Sequence, residues 1–291
     1  MQPRRHDDAA SRKKAMGTRY TFGTSEAAAL RLETIAAFFN PRSARFVRRN
    51  LSREVSSAID LGCGPGYSTE MLSRCVPGAT VYGLDKSPTF LASARRRCPA
   101  VVFLQHDVTT TPFPVRAELV CGAPAPSPVS SPFPVRAELM YARFLLSHLK
   151  NVVALVNRWA AELAPGGILL IEETDGIDTE VAVFRRYLEV NADLIRSQGA
   201  ELFVGPTLGK GRYEHEVLLN RRVTMPVANS LAATWFFPNT VTVWREDAHV
   251  RSTVKAGERK AISEQLARIR DSGDVRRDIT WHIRRLVIRW R

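Results

Sequence analysis

A glycine-rich loop directly after a short apolar strand constrains this 291-residue chain more than any other feature. Residues 55–61 predict the strand, and residues 60–66 have the sequence DLGCGPG, with Gly62, Gly64 and Gly66 at alternate positions. Glycine allows positive φ angles and lets a ligand approach the backbone closely. A helix that begins after the loop adds free N–H groups and the positive end of its dipole. The pattern predicts a nucleotide-like ligand at a strand–loop–helix turn.

The spacing of these glycines narrows the class of ligand. The dinucleotide fingerprint Gly-x-Gly-x-x-Gly/Ala needs a small residue at position 67, where this chain has Tyr67. The Gly-Lys-Ser/Thr sequence of a phosphate-binding P-loop does not follow either. The loop therefore argues against NAD, FAD and a P-loop nucleotide.

Strands and helices are predicted to alternate after the loop, which is typical of a parallel sheet covered by helices on both faces. The predicted fold class is α/β and Rossmann-like, with a mostly parallel seven-stranded sheet. Helices are predicted over residues 20–40, 43–50, 68–75, 181–197 and 261–269. A further helix is predicted to begin at Ser87-Pro88, with Ser87 as its N-cap, and residues 152–163 also have helical spacing. Strands are predicted over residues 55–61, 80–84, 101–104, 137–141, 168–171, 216–227 and 279–290, the last of which also suits a helix.

An eight-residue repeat interrupts this order. Residues 112–119 and 132–139 both have the sequence PFPVRAEL, and a proline-rich stretch separates them. The repeat is too short for a solenoid and indicates a duplicated loop insertion over residues 112–136. The second copy is expected to supply the fourth strand because it continues into residues 141–146, which leaves the first copy as an exposed, mobile loop.

Two carboxylates follow the second and third strands. Asp85 can accept hydrogen bonds from both hydroxyls of a ribose, although an aspartate here also commonly caps the next helix. Asp107 can accept from the amino group of adenine while the Val108 backbone closes the other edge, and an ordinary polar loop residue is the alternative. Together with the glycine loop, these residues predict an adenosine site.

Four motifs occur in order: AIDLGCGPG at 58–66, GLD at 83–85, HDV at 106–108 and LAPGG at 163–167. They resemble the successive motifs of class I S-adenosylmethionine-dependent methyltransferases, and are similar to the small-molecule branch of trans-aconitate and quinone-biosynthesis methyltransferases. The resemblance covers residues 55–173. It implies the methyltransferase fold, S-adenosylmethionine as cofactor, and a small-molecule acceptor for the methyl group.

The resemblance also implies a cofactor site. Asp60 and the glycines would hold the methionine end, the stem of Lys86 would cover adenine, Tyr141 would line the methyl-donor end, and Tyr20 would close over the cofactor. The cofactor-binding residues implied in this way are Tyr20, Asp60, Gly62, Cys63, Gly64, Asp85, Lys86, Asp107, Val108 and Tyr141.

Methyl transfer from a sulfonium needs only alignment of the acceptor, and a base helps where the acceptor is a hydroxyl or an acidic carbon. Glu172, at the end of the fifth strand, is ranked first as a candidate base and His148 second. A polar rim or a packing role is the alternative for both. No metal site is predicted, because the spacing of the four cysteines matches no metal-binding pattern.

The predicted organisation is a disordered tail over residues 1–17 and one methyltransferase domain over 18–291, with its core at 50–175 and a substrate-covering helical region at 178–215. Free thiols without a secretory signal predict the cytoplasm, and no apolar run reaches the length of a membrane span. The oligomeric state is not predicted.

The net charge of +13 leaves other functions open. The arginines are scattered, and no Asn/Asp-Pro-Pro-aromatic sequence follows the fourth strand, which argues against amino methylation of bases. An RNA or other nucleic-acid methyltransferase, and a non-catalytic protein that binds S-adenosylmethionine, are the alternatives.

Overall fold

The computed structural model describes residues 26–113 and 136–291. The predicted tail at 1–17, Tyr20 and most of the insertion at 112–136 lie outside the described residues. The strands are Ser57–Leu61 (β1), Thr80–Asp85 (β2), Val102–Gln105 (β3), Ala137–Arg143 (β4), Leu163–Thr179 (β5), Glu216–Val227 (β6) and Ile279–Arg289 (β7). The helices are Glu26–Asn50 (α1), Tyr67–Cys75 (α2), Pro88–Arg97 (α3), Val152–Ala161 (α4), Ala182–Ser197 (α5), Gly205–Gly209 (α6), Asn229–Val241 (α7), Val243–Glu246 (α8), Ala248–Thr253 (α9) and Ala256–Asp271 (α10).

The seven strands form one sheet in the order β3-β2-β1-β4-β5-β7-β6. The pairs among the first five strands of this order are parallel, and β7 runs antiparallel to both β5 and β6. The predicted Rossmann-like, mostly parallel α/β sheet is therefore confirmed, with β7 as its reversed strand. The strand prediction at 279–290 is also confirmed, as is the choice of the second repeat copy for β4.

Helices cover both faces of the sheet because successive residues of a strand point to opposite sides. Ile59 of β1 is buried in one cluster with Trp159 of α4. Its neighbour Ala58 is buried in a second cluster with Phe46 of α1. Burial on both faces explains why all five residues of β1 are buried and why its sequence lacks a polar alternation.

Helix α1 differs from its prediction. Asn40-Pro41 was expected to end a first helix, whereas the structure has one helix that continues through Pro41 to Asn50. Phe39 lies on one side of the proline and Phe46 and Val47 on the other, and all three are buried. Packing of this continuous apolar face outweighs the local cost of a proline inside a helix.

Strands β5, β6 and β7 extend beyond the carboxyl ends of the parallel strands. β5 is 17 residues long, far more than the predicted residues 168–171. Helices α5, α7 and α10 pack on the extension in a further apolar cluster that includes Trp235 and Trp281. This second core forms a wall above the sheet edge where ligands bind in open α/β folds. Over the two described ranges, no helix has the length and apolarity needed to cross a membrane.

Candidate functional site

A cavity of about 780 Å³ lies where the carboxyl ends of the parallel strands meet the second core. Its floor comes from the turns after β1, β2, β3 and β4, which supply residues 62–68, 85–90, 106–109 and 143–151. Its other walls come from α1, α5, α7 and the start of β7. One cavity therefore joins the predicted adenosine site to a region that the sequence motifs do not cover.

The loop after β1 requires glycine at two positions in this cavity. Gly62 has a φ of +64°, and a Cβ atom there would lie 2.6 Å from Cδ1 of Leu145. Gly64 has a φ of +52°, lines the cavity, and faces open space where a Cβ would project. The loop thus combines a tight contact on one side with an accessible backbone on the other.

Asp60 lies just beneath this loop and is 1% exposed. Its Oδ2 accepts hydrogen bonds from Ser68 Oγ at 2.7 Å and Thr69 Oγ1 at 2.6 Å. Its Oδ1 has no hydrogen-bond donor among the described residues, and burial raises the pKa of the carboxyl to about 6. Because Ser68 lines the cavity, a ligand ammonium group that reaches this network would satisfy an otherwise unpaired oxygen. The methionine end of S-adenosylmethionine fits that requirement.

Asp85 ties the end of β2 to the glycine loop. Its Oδ2 accepts from Gly64 N at 3.0 Å and its Oδ1 from Ser87 N at 2.7 Å. Burial raises the pKa of Asp85, although these two backbone bonds act in the opposite direction. Each carboxylate oxygen can accept a further bond, so the side chain can hold the loop and still bind two ribose hydroxyls. Cys63 and Lys86 line the cavity beside it.

Asp107 and Val108 line the cavity at the end of β3. Asp107 Oδ1 accepts from Thr109 N at 2.9 Å and from Thr109 Oγ1 at 2.7 Å. Burial acts to raise the pKa of Asp107, but the bonds from Thr109 outweigh it and lower the pKa overall. The carbonyl of Val108 accepts from Trp159 Nε1 at 2.8 Å, which anchors this turn to α4. Hydrogen bonds from Thr109 and from Trp159 therefore fix the two residues that are predicted to bind adenine.

Three predicted site residues within the described ranges do not line the cavity: Asp60, which lies beneath the glycine loop, and Tyr141 and Glu172. Tyr141 is fully buried in the cluster beneath α1, where strand alternation directs its ring, and its hydroxyl donates to Glu172 at 2.8 Å. Glu172 is 2% exposed and also accepts from Arg285 Nε at 2.8 Å. This arrangement corrects the placement of Tyr141 at the methyl-donor end. It also favours a packing role for Glu172 over its ranking as the first candidate base.

The turn after β4 is held by the neighbouring carboxylate instead. Glu173 is fully buried, and its Oε1 accepts from the N–H groups of Leu145 and Leu146, each at 2.7 Å. Burial raises the pKa of Glu173 to about 8. Phe144, directly before this pair, has a φ of +54°, which is unusual for a bulky residue and marks a constrained position. These contacts present Phe144 and Leu145 to the cavity.

His148 closes the same turn and lines the cavity. Burial lowers its pKa to about 3, and the positive charges of Arg31 and Lys86 add to this effect. The imidazole is therefore neutral near pH 7, and its surroundings oppose its protonation. Since Lys86 belongs to the adenosine side and Arg31 to α1, His148 lies between the two parts of the cavity.

Sequence reasoning missed the residues that form the second part of the cavity. Six aromatic side chains line it, and we call them the aromatic lobe. The aromatic lobe consists of Phe39, Phe144, Tyr187, Trp235, Phe236 and Trp281. They come from five elements far apart in sequence, so no local motif marks them, although the run Trp235-Phe236-Phe237 was a visible signal.

Known methyltransferases are similar in sequence to part of this chain. Residues 58–125 match the family model described as a methyltransferase domain. The chain is similar to a trans-aconitate 2-methyltransferase of Methylobacterium nodulans, with 39% identity over 120 residues, and to one of Paracidovorax citrulli, with 41% identity over 120 residues. Each match covers 41% of this chain and 39% of the relative, so the chain aligns with about two fifths of their length.

A solved structure extends the likeness of the fold to most of the chain. A phosphoethanolamine N-methyltransferase of Haemonchus contortus, in complex with phosphomonomethylethanolamine and S-adenosylhomocysteine, superposes with a TM-score of 0.50. The sequences are 13% identical, and the match covers 87% of this chain and 53% of that one. By sequence, residues 58–125 are similar to a methyltransferase domain, and the likeness of the wider chain to this solved structure is one of fold.

Proposed function

We propose that this protein transfers the methyl group of S-adenosylmethionine to a small-molecule acceptor. The observation that carries the proposal is the single cavity in which the glycine loop and the carboxylates after β2 and β3 adjoin an aromatic lobe. The cofactor would supply a methyl group already activated on a sulfonium. The protein would then align the acceptor and exclude water from the transfer.

The proposed cofactor contacts follow the cavity from one end to the other. Asp60 and Ser68 would receive the ammonium of the methionine end above the backbone of Gly64. Asp85 would bind the ribose hydroxyls, and Asp107 would bind the adenine amino group. These roles are supported by the unpaired Oδ1 of Asp60 and by the spare acceptor capacity of the other two carboxylates.

The domain organisation and the cellular location are part of the same proposal. One methyltransferase domain would extend over 18–291, and the helical region at 178–215 would cover the acceptor, which is supported by the presence of Tyr187, Leu188 and Asn191 in the cavity wall. A cytoplasmic location is supported by the buried free thiols of Cys63 and Cys75, since disulfides are rare in that compartment.

Calorimetric titration with S-adenosylhomocysteine tests the cofactor site. Asp85→Ala removes the proposed ribose contacts, which are worth about 3 kcal/mol for two hydrogen bonds to a charged group, so the dissociation constant should rise about 100-fold. Asp271→Asn changes an exposed carboxylate at the end of α10 and should leave the constant unchanged. Thermal unfolding of both variants shows whether the fold is intact.

An unchanged dissociation constant in folded Asp85→Ala would contradict the ribose assignment. Absence of binding to the wild-type chain at millimolar cofactor would contradict the proposed function as a whole. Transfer of radiolabelled methyl groups to total RNA in preference to a metabolite extract would favour the nucleic-acid alternative. Tight binding with no transfer to either would favour the non-catalytic one.

A further inference from the structure

The aromatic lobe has the chemistry of a binding site for a flat apolar ring. Phe39 and Phe144 meet edge to face at 4.9 Å between ring centroids, and Trp235 and Trp281 do the same at 5.3 Å. Phe236 stacks on Tyr187 at 4.2 Å. Rings fixed by one another lose little freedom when a ligand binds, and all six line the cavity, although Tyr187, Trp235 and Phe236 are at most 3% exposed.

Within the part of the chain that the structure describes, the charged side chain that lies against the lobe is positive. Among the described residues, the carboxylates that line the cavity are Asp85 and Asp107, and both belong to the adenosine side. Arg31 lines the lobe, its Nε donates to the Trp235 carbonyl at 2.8 Å, and it lies near enough to influence His148 and Tyr187 electrostatically. A cationic acceptor would meet a like charge there, whereas an anionic oxygen would be stabilised.

Two other guanidinium groups of the cavity wall make contacts on the cofactor side, and the ammonium groups of Lys86 and Lys150 also line the cavity. Arg143 donates to Ser43 Oγ at 3.0 Å and Asn40 Oδ1 at 2.8 Å, and its charge acts on Asp60 at the methionine end. Arg158 donates to the Thr109 carbonyl at 3.1 Å, beside the adenine edge. Arg31 is the guanidinium that lies against the lobe, where its Nε donates to the Trp235 carbonyl.

We propose that the methyl acceptor is an aromatic compound with an acidic oxygen, which the lobe holds by its ring and Arg31 holds by its negative charge. The proposal rests on the proposed function and names the substrate class of the same cavity. The acceptor oxygen forms a bond to the methyl carbon while the methyl–sulfur bond breaks and its electron pair stays on sulfur. A phenol releases its proton to water and binds as the phenolate, which the charge of Arg31 stabilises, and an aromatic carboxylate is already ionised, so neither acceptor needs a base from the protein.

Binding to protein saturated with S-adenosylhomocysteine separates this inference from the activity. The probes are trans-cinnamate and p-cresol for the two acidic oxygens, trans-aconitate for an aliphatic polyacid, and phenethylamine for an aromatic cation. Calorimetry should give the tightest binding for cinnamate or p-cresol. Cinnamyl alcohol, the neutral analogue of cinnamate, reports on the ring contacts alone.

Arg31→Met should weaken cinnamate binding at least tenfold and change the affinity for cinnamyl alcohol and for S-adenosylhomocysteine less than threefold. A role of Arg31 in merely holding Trp235 would weaken cinnamate and cinnamyl alcohol alike. Arg49→Met, an exposed position on the same helix, is the matched control and should change none of these affinities.

The methylated products identify the oxygen source. Mass spectrometry should detect either the methyl ether of p-cresol or the methyl ester of cinnamate. His148→Asn should leave the rates of ether and ester formation within a few-fold, because burial and nearby positive charges lower the pKa of His148 to about 3 and the acceptor binds already ionised. Either product supports the inference, because both acceptors present an acidic oxygen on an aromatic compound.

Tighter binding of trans-aconitate or phenethylamine than of both aromatic acids would overturn the inference, as would an unchanged cinnamate affinity in Arg31→Met. Weakened S-adenosylhomocysteine binding in Arg31→Met would overturn it too, because Arg31 would then serve the cofactor. Failure of the wild-type chain to bind S-adenosylhomocysteine is a different result, and it would overturn the proposed function itself.

Discussion

Replacing Glu173 by glutamine should stabilise the protein increasingly as the pH rises. Glu173 is fully buried, and one of its oxygens receives two backbone N–H groups from the turn after β4. Burial raises its pKa from the ordinary 4.5 to about 8. Between these two values the folded chain keeps this proton and the unfolded chain releases it. The free energy of unfolding therefore falls as the pH rises through this window.

The size of the effect follows from the width of that window. One pH unit corresponds to about 1.4 kcal/mol per proton, so the contribution over the full window is about 4 to 5 kcal/mol. Glutamine keeps a carbonyl oxygen for Leu145 and Leu146 but has no proton to lose. The difference in unfolding free energy, Glu173→Gln minus wild type, should increase by about 1.4 kcal/mol per unit from about pH 5 to about pH 8.

Urea unfolding followed by far-ultraviolet circular dichroism at several pH values measures this slope, provided that the m-value stays constant. Glu172→Gln is the matched control, since Glu172 is the preceding residue and is equally buried, but it is paired with Arg285 and Tyr141. That substitution breaks a buried ion pair and should destabilise the fold by about 3–5 kcal/mol. A Glu173→Gln difference that does not change with pH would refute the reasoning, because Glu173 would then be ionised in the fold.

Three further outcomes are expected. Gly62→Ala should destabilise the protein by about 1–3 kcal/mol in urea unfolding and weaken S-adenosylhomocysteine binding, because its φ is +64° and the new Cβ would lie against Leu145; unchanged stability would contradict the close contact. Arg284→Met should cost about 2–3 kcal/mol in the same assay, because Asp175 is 7% exposed and accepts from Arg284 Nε at 2.8 Å; a neutral result would mean that this ion pair contributes nothing. The thiols of Cys63, Cys75 and Cys98 are buried, and burial raises their pKa values. They should therefore resist iodoacetamide near pH 8 in the folded protein and react in urea. Peptide mass spectrometry that finds early labelling of the folded protein would contradict their burial.

The adenosine side of the site was predictable because its residues follow strands in short, ordered motifs. A glycine loop, Asp85 and Asp107 each come directly after a strand, and parallel strands bring their carboxyl ends to one edge. Local chemistry also predicted α3 through its N-cap Ser87, whose Oγ accepts from Phe90 N at 3.3 Å. Sequence reasoning could therefore place residues relative to the edge of the sheet.

Long-range packing decided the features that sequence reasoning missed or misjudged. Pro41 indicated a helix end, but burial of the apolar face on both sides of it keeps α1 continuous. Glu172 and Glu173 are adjacent and chemically identical, and their roles differ because strand alternation directs them to opposite sides. One meets Arg285, and the other meets the N–H groups of the turn after β4.

The amino-acid sequence alone determined the Rossmann-like sheet and the residues proposed to bind the methyl donor, because both depend on periodicity and on spacing within about 50 residues of chain. Only the tertiary structure brought the aromatic lobe together with Arg31 and His148. Those side chains come from α1, the turn after β4, α5, α7 and β7, and a common apolar core, not a local pattern, places them around one cavity. The chemistry of the acceptor is for this reason a property of the folded chain.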